Sequence, residues 1–116
     1  MALRKLVERI TKPTDEIDRE KLTMWCDAHG GAPLDTVQCR APVFVAGEVR
    51  SVRIVPRAGA DALEATVMDG RGSVTAVFLG RRRVAGFTPG RRVVLQGVVT
   101  QHGGERLIYN PLYTLS

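Results

Sequence analysis

The segment Leu63 to Gly80, LEATVMDGRGSVTAVFLG, constrains the fold more than any other part of the sequence. On both sides of Asp-Gly-Arg-Gly every second residue is apolar, which predicts two strands that each bury one face. The residues that share this parity are Leu63, Ala65, Val67, Val74, Ala76 and Phe78. Asp-Gly tolerates the left-handed backbone of a tight turn, so the segment predicts a β-hairpin. Its outer face is the expected place for function.

The sequence on either side of the hairpin predicts three more strands. Val43 to Arg57 is strongly β-like, and Gly47 inside it predicts a bulge or bend. Such a bend lets one long strand take part in both halves of a small closed barrel. Arg92 to Gln101 predicts a fourth strand, and Glu105 to Leu115 predicts a fifth that a proline interrupts.

Between the third and fourth strands, Arg81 to Phe87 predicts one or two turns of helix that end at Gly86. Five short strands with a helix at this point describe a mainly β protein, a five-stranded Greek-key barrel of the OB-fold type. An irregular loop over the same residues is the alternative. The expected barrel core consists of Val45, Val49, Leu63, Val67, Val74, Phe78, Val94 and either Val93 or Leu95.

The first part of the chain predicts two helices. An apolar stripe with helical spacing runs through residues 2–11 and consists of Leu3, Leu6, Val7 and Ile10. Thr14 or Asp15 caps a second helix that ends at Gly30-Gly31. We therefore divide the chain into an N-terminal helical segment, 1–41, and an OB-fold barrel, 42–116. The helices are expected to pack on the barrel or on a second copy, because the stripe is too apolar to stay in water.

The sequence also predicts where in the cell the protein is located. No stretch approaches the roughly eighteen apolar residues of a membrane span, and residues 1–12 lack the features of a signal peptide. Two cysteines, Cys26 and Cys39, are expected to be reduced, because a core this rich in valine and leucine does not need a disulfide. We expect a cytoplasmic protein without a membrane partner.

Charge is unevenly distributed along the chain. Residues 1–41 carry seven basic and seven acidic side chains, whereas 42–116 carry ten arginines, no lysine and five acids, so the net charge of +5 lies in the second part. Arginine pairs with phosphate in a bidentate way and stacks on bases, so this excess favours a nucleic-acid surface. A codon bias toward arginine is the other explanation.

Three sequence blocks carry a resemblance to a known family. DGRGSVTAVFLG, then TPGRRVVLQGVVT, then IYNPLY resembles the OB-fold nucleic-acid-binding domain family over about residues 43–116, in particular the wedge domain of RecG-type helicases. Over its full length the chain is similar to small stand-alone bacterial OB-fold proteins. The wedge domains tend to have a second aromatic residue and an asparagine where this chain has Leu79 and Gly80, so the resemblance does not extend to opening a forked duplex.

The function predicted from these features is non-catalytic binding of single-stranded DNA or RNA with little sequence preference. Arginines would follow phosphates, the outer face of the hairpin would lie under bases, and two tyrosines would stack. The candidate binding residues are Arg50, Arg53, Arg57, Thr66, Met68, Arg71, Thr75, Val77, Arg81, Arg82, Arg83, Tyr109 and Tyr113. The alternative is a protein-interaction or structural module whose basic face binds an acidic partner, with self-association through the N-terminal helices or the hairpin face.

Catalysis, cofactors and metals are not expected. The serines have no neighbouring base, and no Gly-x-x-x-x-Gly-Lys phosphate loop is present, so the sequence predicts neither an enzyme nor an ATP-driven motor. Cys26, His29 and Cys39 supply only three of the four ligands that a structural zinc site requires.

Overall fold

The computed structural model describes residues 16–116, which form one helix and six strands. The helix, α1, covers residues 16–28, as the second predicted helix requires. The predicted helix over 2–11 lies outside the described residues. The strands are β1 (Pro42–Arg57), β2 (Ala60–Met68), β3 (Ser73–Leu79), β4 (Arg92–His102), β5 (Glu105–Tyr109) and β6 (Leu112–Leu115). The protein is therefore mainly β, as predicted.

The strands form one sheet that closes on itself. Neighbouring strands follow the order β1-β2-β3-β5-β4-β6, and β1 also pairs with β4, so the first five strands make a ring of pairings. All pairs are antiparallel except β3 with β5. The predicted fifth strand is in fact two strands, because the backbone turns at Asn110, whose φ is 48°. β5 and β6 both pair with β4, so the interruption keeps the chain beside the same neighbour.

β1 belongs to both halves of the ring, as the sequence predicts. Its first part pairs with β4 and its second part with β2, and the register shifts between Val49 and Ser51. Gly47 lies just before this irregularity. A Cβ atom at Gly47 would stand 2.5 Å from a methyl carbon of Val67 and 2.8 Å from the carbonyl oxygen of Met68. The close approach of β1 to β2 therefore requires glycine at this position.

The core lies inside the ring, and the predicted strand parity of the hairpin is confirmed. All six alternating apolar residues from Leu63 to Phe78 are buried in the main core cluster. Val93 and Leu95 both join that cluster. The prediction for Val94 was wrong, because neighbouring residues of a strand face opposite sides and Val94 packs on the outside against α1.

The predicted short helix between the third and fourth strands is also wrong. Residues 80–91 form bends and turns, and their three internal backbone hydrogen bonds, from Phe87 to Val84, from Thr88 to Gly86 and from Arg91 to Thr88, make no continuous helical ladder. Gly86 has a positive φ angle, as the predicted end of the helix requires, but residues 81–85 before it form no helical turn. Val84 and Phe87 are buried in the main core. The loop is held by these two side chains instead of by helical hydrogen bonds.

The N-terminal part of the described chain packs against the ring in two places. Leu22 and Cys26 of α1 cover Ala46 on the outer side of β1, and Leu34 enters the main core. The carboxylate of Asp69, in the β2–β3 turn, accepts a 2.8 Å hydrogen bond from the Leu34 amide. Residues 16–41 of the predicted N-terminal segment thus share a core with the strands. Among residues 16–116, no helix is long and apolar enough to cross a membrane.

Candidate nucleic-acid interface

The outer face of the hairpin carries a row of four aligned residues. Arg53 of β1 is opposite Glu64 of β2, Glu64 is opposite Val77 of β3, and Val77 is aligned with Tyr109 of β5. Aligned residues of neighbouring strands point to the same side of a sheet. These side chains therefore form one line across four strands, here called the outer row.

Glu64 is the buried centre of this row. Its side chain is 1% exposed, and its two oxygens accept hydrogen bonds from Arg57 Nε at 2.5 Å and from Arg53 Nη2 at 3.0 Å. Burial opposes ionisation and tends to raise the pKa of Glu64, but the two guanidinium groups outweigh this and hold the pKa below its ordinary value of 4.5. Glu64 is therefore an anchoring carboxylate that keeps two arginines on this face.

Arg57 connects Glu64 to the aromatic end of the row. Its Nη1 donates a hydrogen bond of 3.2 Å to Tyr109 Oη, and its Cζ lies 5.9 Å from the centre of the Tyr109 ring. The hydrogen bond to Glu64 raises the pKa of Arg57, so its charge is permanent. Tyr109 is 40% exposed. The result is an accessible aromatic ring that a fixed cation holds in place.

The ion pairs predict a pH dependence for stability. Because the pKa of Glu64 is depressed in the folded state, its stabilising contribution is present above pH 4.5 and is lost as pH falls through the folded pKa. We expect Glu64→Gln to lower the free energy of unfolding by about 1–3 kcal/mol at pH 7 and by much less near pH 3. Urea unfolding at the two pH values measures this difference.

The control is Glu105→Gln, which removes an exposed carboxylate and should cost little at either pH. A Glu64→Gln cost that is the same at both pH values would show that the carboxylate charge does not stabilise the fold.

The other outer-face residues of the hairpin divide into three groups. Val77 occupies an outer-face position on β3, but its side chain is fully buried in a small cluster with Ala62 and Leu107 and is not accessible to a ligand. Thr66 and Thr75 line a cleft of about 310 Å³. Its remaining walls are Ser73, Gln101, Gly104, Glu105 and Arg106. Met68 lies elsewhere, in a second cleft of about 400 Å³ that faces α1.

The predicted arginines do not all remain available. Arg71 makes a bidentate pair with Asp27, at 2.9 and 3.0 Å, and Arg82 lies 3.4 Å from Asp61. Arg50, Arg81 and Arg83 are exposed and form no ion pair with any residue from 16 to 116. Arg81 and Arg83 follow β3 directly, beyond the Ala62–Leu79 pair that ends the hairpin. They lie at the same end of the hairpin as Arg57.

Tyr113 is placed differently from Tyr109. It packs edge-on against Phe78 and Phe87, with ring centres 5.7 and 5.0 Å away, as part of the core. The left-handed backbone at Asn110, followed by Pro111, breaks the alternation between the two tyrosines. Their four-residue spacing therefore does not put them on one face, and Tyr109 is the aromatic side chain of the outer row.

No family model matches this sequence, and the search of curated proteins found no matching relative.

Two residues of the interface were not predicted from the sequence. Glu64 alternates with Thr66 and Met68, so the sequence could have predicted that it lies on the outer face. Its two arginine partners could not be predicted in the same way, because they depend on the pairing of β2 with β1. Arg106 lines the threonine cleft and donates a hydrogen bond to the Leu34 carbonyl. Leu34 and Arg106 are far apart in the chain, and no local pattern indicates that contact.

The described residues offer no support for a metal site. Nowhere in 16–116 do three His, Cys, Asp or Glu side chains come together as ligands. Both cysteines are free, and burial raises the pKa of the Cys26 thiol to about 11. A thiol that stays protonated at neutral pH is a poor metal ligand and a poor nucleophile.

Proposed function

We propose that this chain is an OB-fold protein that binds single-stranded nucleic acid on the outer face of its β2–β3 hairpin. The ring order β1-β2-β3-β5-β4, closed by β1 with β4, supports the OB-fold assignment. In that fold the face of the second and third strands and the adjoining loops hold oligonucleotides. The outer row and the threonine cleft lie on this face.

The observation that carries the proposal is the fixed contact of Glu64, Arg57 and Tyr109. A stacking platform binds more tightly when its ring is already held in place, because less freedom is lost on binding. Glu64 holds Arg57, and Arg57 holds the partly exposed Tyr109 ring through a hydrogen bond and a cation–π contact. The Arg53 side chain, which is 66% exposed, is a further cation at the opposite end of the row from Tyr109, where it could contact another phosphate of a bound strand.

The charge of the face suits binding without sequence preference. Glu64 neutralises only one of its two arginine partners, and Arg81 and Arg83 add two exposed cations at the rim. Cations that contact phosphate supply affinity and register, but they do not read bases. The cleft offers the hydroxyl groups of Thr66, Ser73 and Thr75 for hydrogen bonds to bases, beside the side chains of Gln101, Glu105 and Arg106. Hydroxyl groups both donate and accept, so they discriminate poorly between bases.

The direct test is fluorescence anisotropy with labelled 20-nucleotide strands at several salt concentrations. We expect a linear fall of log affinity against log salt for wild-type protein, with similar affinities for different base compositions. Arg81→Ala with Arg83→Ala should weaken binding to every strand and flatten the slope by about 1.4, since each contacted phosphate of a single strand contributes about 0.7. DNA and RNA strands of equal sequence test for contacts to the 2′-hydroxyl.

The control is Arg19→Ala with Arg91→Ala, which removes two exposed arginines from α1 and from the turn before β4. It should leave the slope nearly unchanged. If both double variants flatten the slope equally, binding is a response to net charge alone. If wild-type protein binds an acidic peptide but no strand, the protein-interaction function takes first place.

A further inference from the structure

The threonine cleft lies where β3 and β5 separate. Their parallel pairing begins at Thr75 with Leu107 and includes three residues of each strand. Ser73 and Glu105 lie two residues before that first pair, where the two strands are no longer joined, and both line the cleft. The cleft of about 310 Å³ is therefore an opening between the β2–β3 hairpin and the β4–β5 hairpin.

The walls of this cleft are polar but carry little net charge. The two charged side chains are Glu105 and Arg106, which have opposite signs. The Arg106 guanidinium donates a hydrogen bond to the Leu34 carbonyl, whereas Glu105 forms no ion pair with any residue from 16 to 116. The charge that remains available to a ligand is therefore a carboxylate, which accepts hydrogen bonds and repels phosphate.

The cleft adjoins the outer row. Glu105 and Tyr109 share the same parity on β5 and lie four residues apart, which is about 13 Å along a strand. The hydrogen bond to Glu64 is the main cause that raises the pKa of Arg57, and electrostatic attraction to Glu105 also raises it. The Glu105 carboxylate therefore lies within the field of the outer row. A strand that stacks a base on Tyr109 and runs along β5 brings a nearby sugar over the cleft.

A carboxylate at this position favours a ligand atom that donates a hydrogen bond. The phosphates of a strand offer no donor, so the donor is either a base amino group or a ribose 2′-hydroxyl. Amino groups differ from base to base, whereas every RNA nucleotide carries the same 2′-hydroxyl. The 2′-hydroxyl is therefore the donor that agrees with binding without sequence preference. It also accepts hydrogen bonds, and Thr66 and Thr75, which are opposite each other, offer hydroxyl donors.

We propose that the threonine cleft binds a ribose 2′-hydroxyl, with the Glu105 carboxylate as its acceptor, so that the protein prefers single-stranded RNA to DNA. This inference rests on the proposed function, because it requires a strand on the outer face. DNA would cover the cleft without supplying a donor to Glu105. A site that hydrogen-bonds a hydroxyl group disfavours an analogue that lacks it, because the protein group is left unpaired.

The test is fluorescence anisotropy with labelled 20-nucleotide strands that contain only A and C, as DNA, RNA and 2′-fluoro RNA. This composition removes the difference between thymine and uracil and avoids Watson–Crick pairing within the strand. Wild-type protein should bind the RNA about tenfold more tightly than the DNA. The 2′-fluoro strand keeps the sugar pucker of RNA but has no 2′ donor, so it should bind as weakly as DNA. A 2′-fluoro strand that binds as tightly as RNA would show that sugar shape is recognised, and the inference would be wrong.

The variant that tests the acceptor is Glu105→Ala, which should remove most of the RNA preference. Loss of a negative charge strengthens binding to every strand, so the ratio of RNA to DNA affinity is the quantity to compare. Glu105 is exposed, so the melting temperature should change little. The matched control is Glu20→Ala, which removes an exposed carboxylate from α1 and should leave the ratio unchanged.

Three outcomes would contradict parts of this argument. A loss of affinity by the same factor for RNA and DNA in Glu105→Ala would show that the carboxylate contacts a base amino group. Equal affinity of wild-type protein for RNA and DNA would overturn the inference and leave the proposed function in place. Failure of wild-type protein to bind any strand would refute the proposed function itself, and the inference with it.

Discussion

Asp69→Ala should lower the free energy of unfolding by about 4 kcal/mol or more, since the side chain accepts three hydrogen bonds and each such bond to a charged group is worth roughly 1.5–3 kcal/mol. The Asp69 carboxylate is buried and accepts three backbone hydrogen bonds, from Leu34 at 2.8 Å, Arg71 at 2.8 Å and Gly72 at 2.9 Å. The first joins the N-terminal segment to the ring, and the other two form the β2–β3 turn. Urea unfolding followed by circular dichroism measures the loss.

Two control variants test whether the loss of stability comes from the hydrogen bonds of the Asp69 carboxylate and not from the removal of any acidic side chain in this region. Asp69→Asn keeps one acceptor oxygen and should recover part of the stability. Asp35→Ala removes a nearby exposed carboxylate and should cost little. A cost below about 1 kcal/mol for Asp69→Ala would show that the turn and Leu34 keep their places without this side chain.

Tyr109→Ala should weaken binding to single strands by about five- to 150-fold, which corresponds to the 1–3 kcal/mol of a lost stacking platform. The ring is partly exposed, so the melting temperature should change little. The salt slope should stay nearly constant, because stacking releases no counterions. Anisotropy titrations at two salt concentrations measure both quantities.

The matched variants use the second tyrosine and the hydroxyl group. Tyr113→Ala should lower stability without a specific loss of affinity, because Tyr113 packs against Phe78 and Phe87. Tyr109→Phe keeps the ring but loses the hydrogen bond from Arg57, so its affinity should fall between those of wild type and Tyr109→Ala. Unchanged affinity in Tyr109→Ala would remove stacking from the proposed mode of binding.

Much of the hairpin was predictable from local pattern. Alternation across Leu63 to Phe78 identified the buried face, because successive side chains of a strand point to opposite sides whatever the rest of the fold does. The long first strand and its irregularity near Gly47 were predictable for a similar reason, since glycine inside a strand signals close backbone approach.

The predictions that failed concern residues whose local sequence favours one conformation while their tertiary contacts impose another. Arg81 to Phe87 has the composition of a short helix, but a segment this short gains little from helical hydrogen bonds alone. Burial of Val84 and Phe87 in the main core decides its shape instead. Val94 and Tyr113 were assigned to the wrong sides because the uninterrupted apolar run Val93-Val94-Leu95 and the turn at Asn110 obscure the strand parity.

The amino-acid sequence by itself determined which segments of this protein become strands, which face of the hairpin is buried, and where the excess of arginine lies. Only the tertiary structure decided which cations remain available. Glu64 and Arg57 come together because β1 and β2 pair, and Asp27 reaches Arg71 because α1 packs beside the β2–β3 turn. An ion pair depends on a distance of a few ångströms between distant parts of the chain, and local patterns carry no information about that distance.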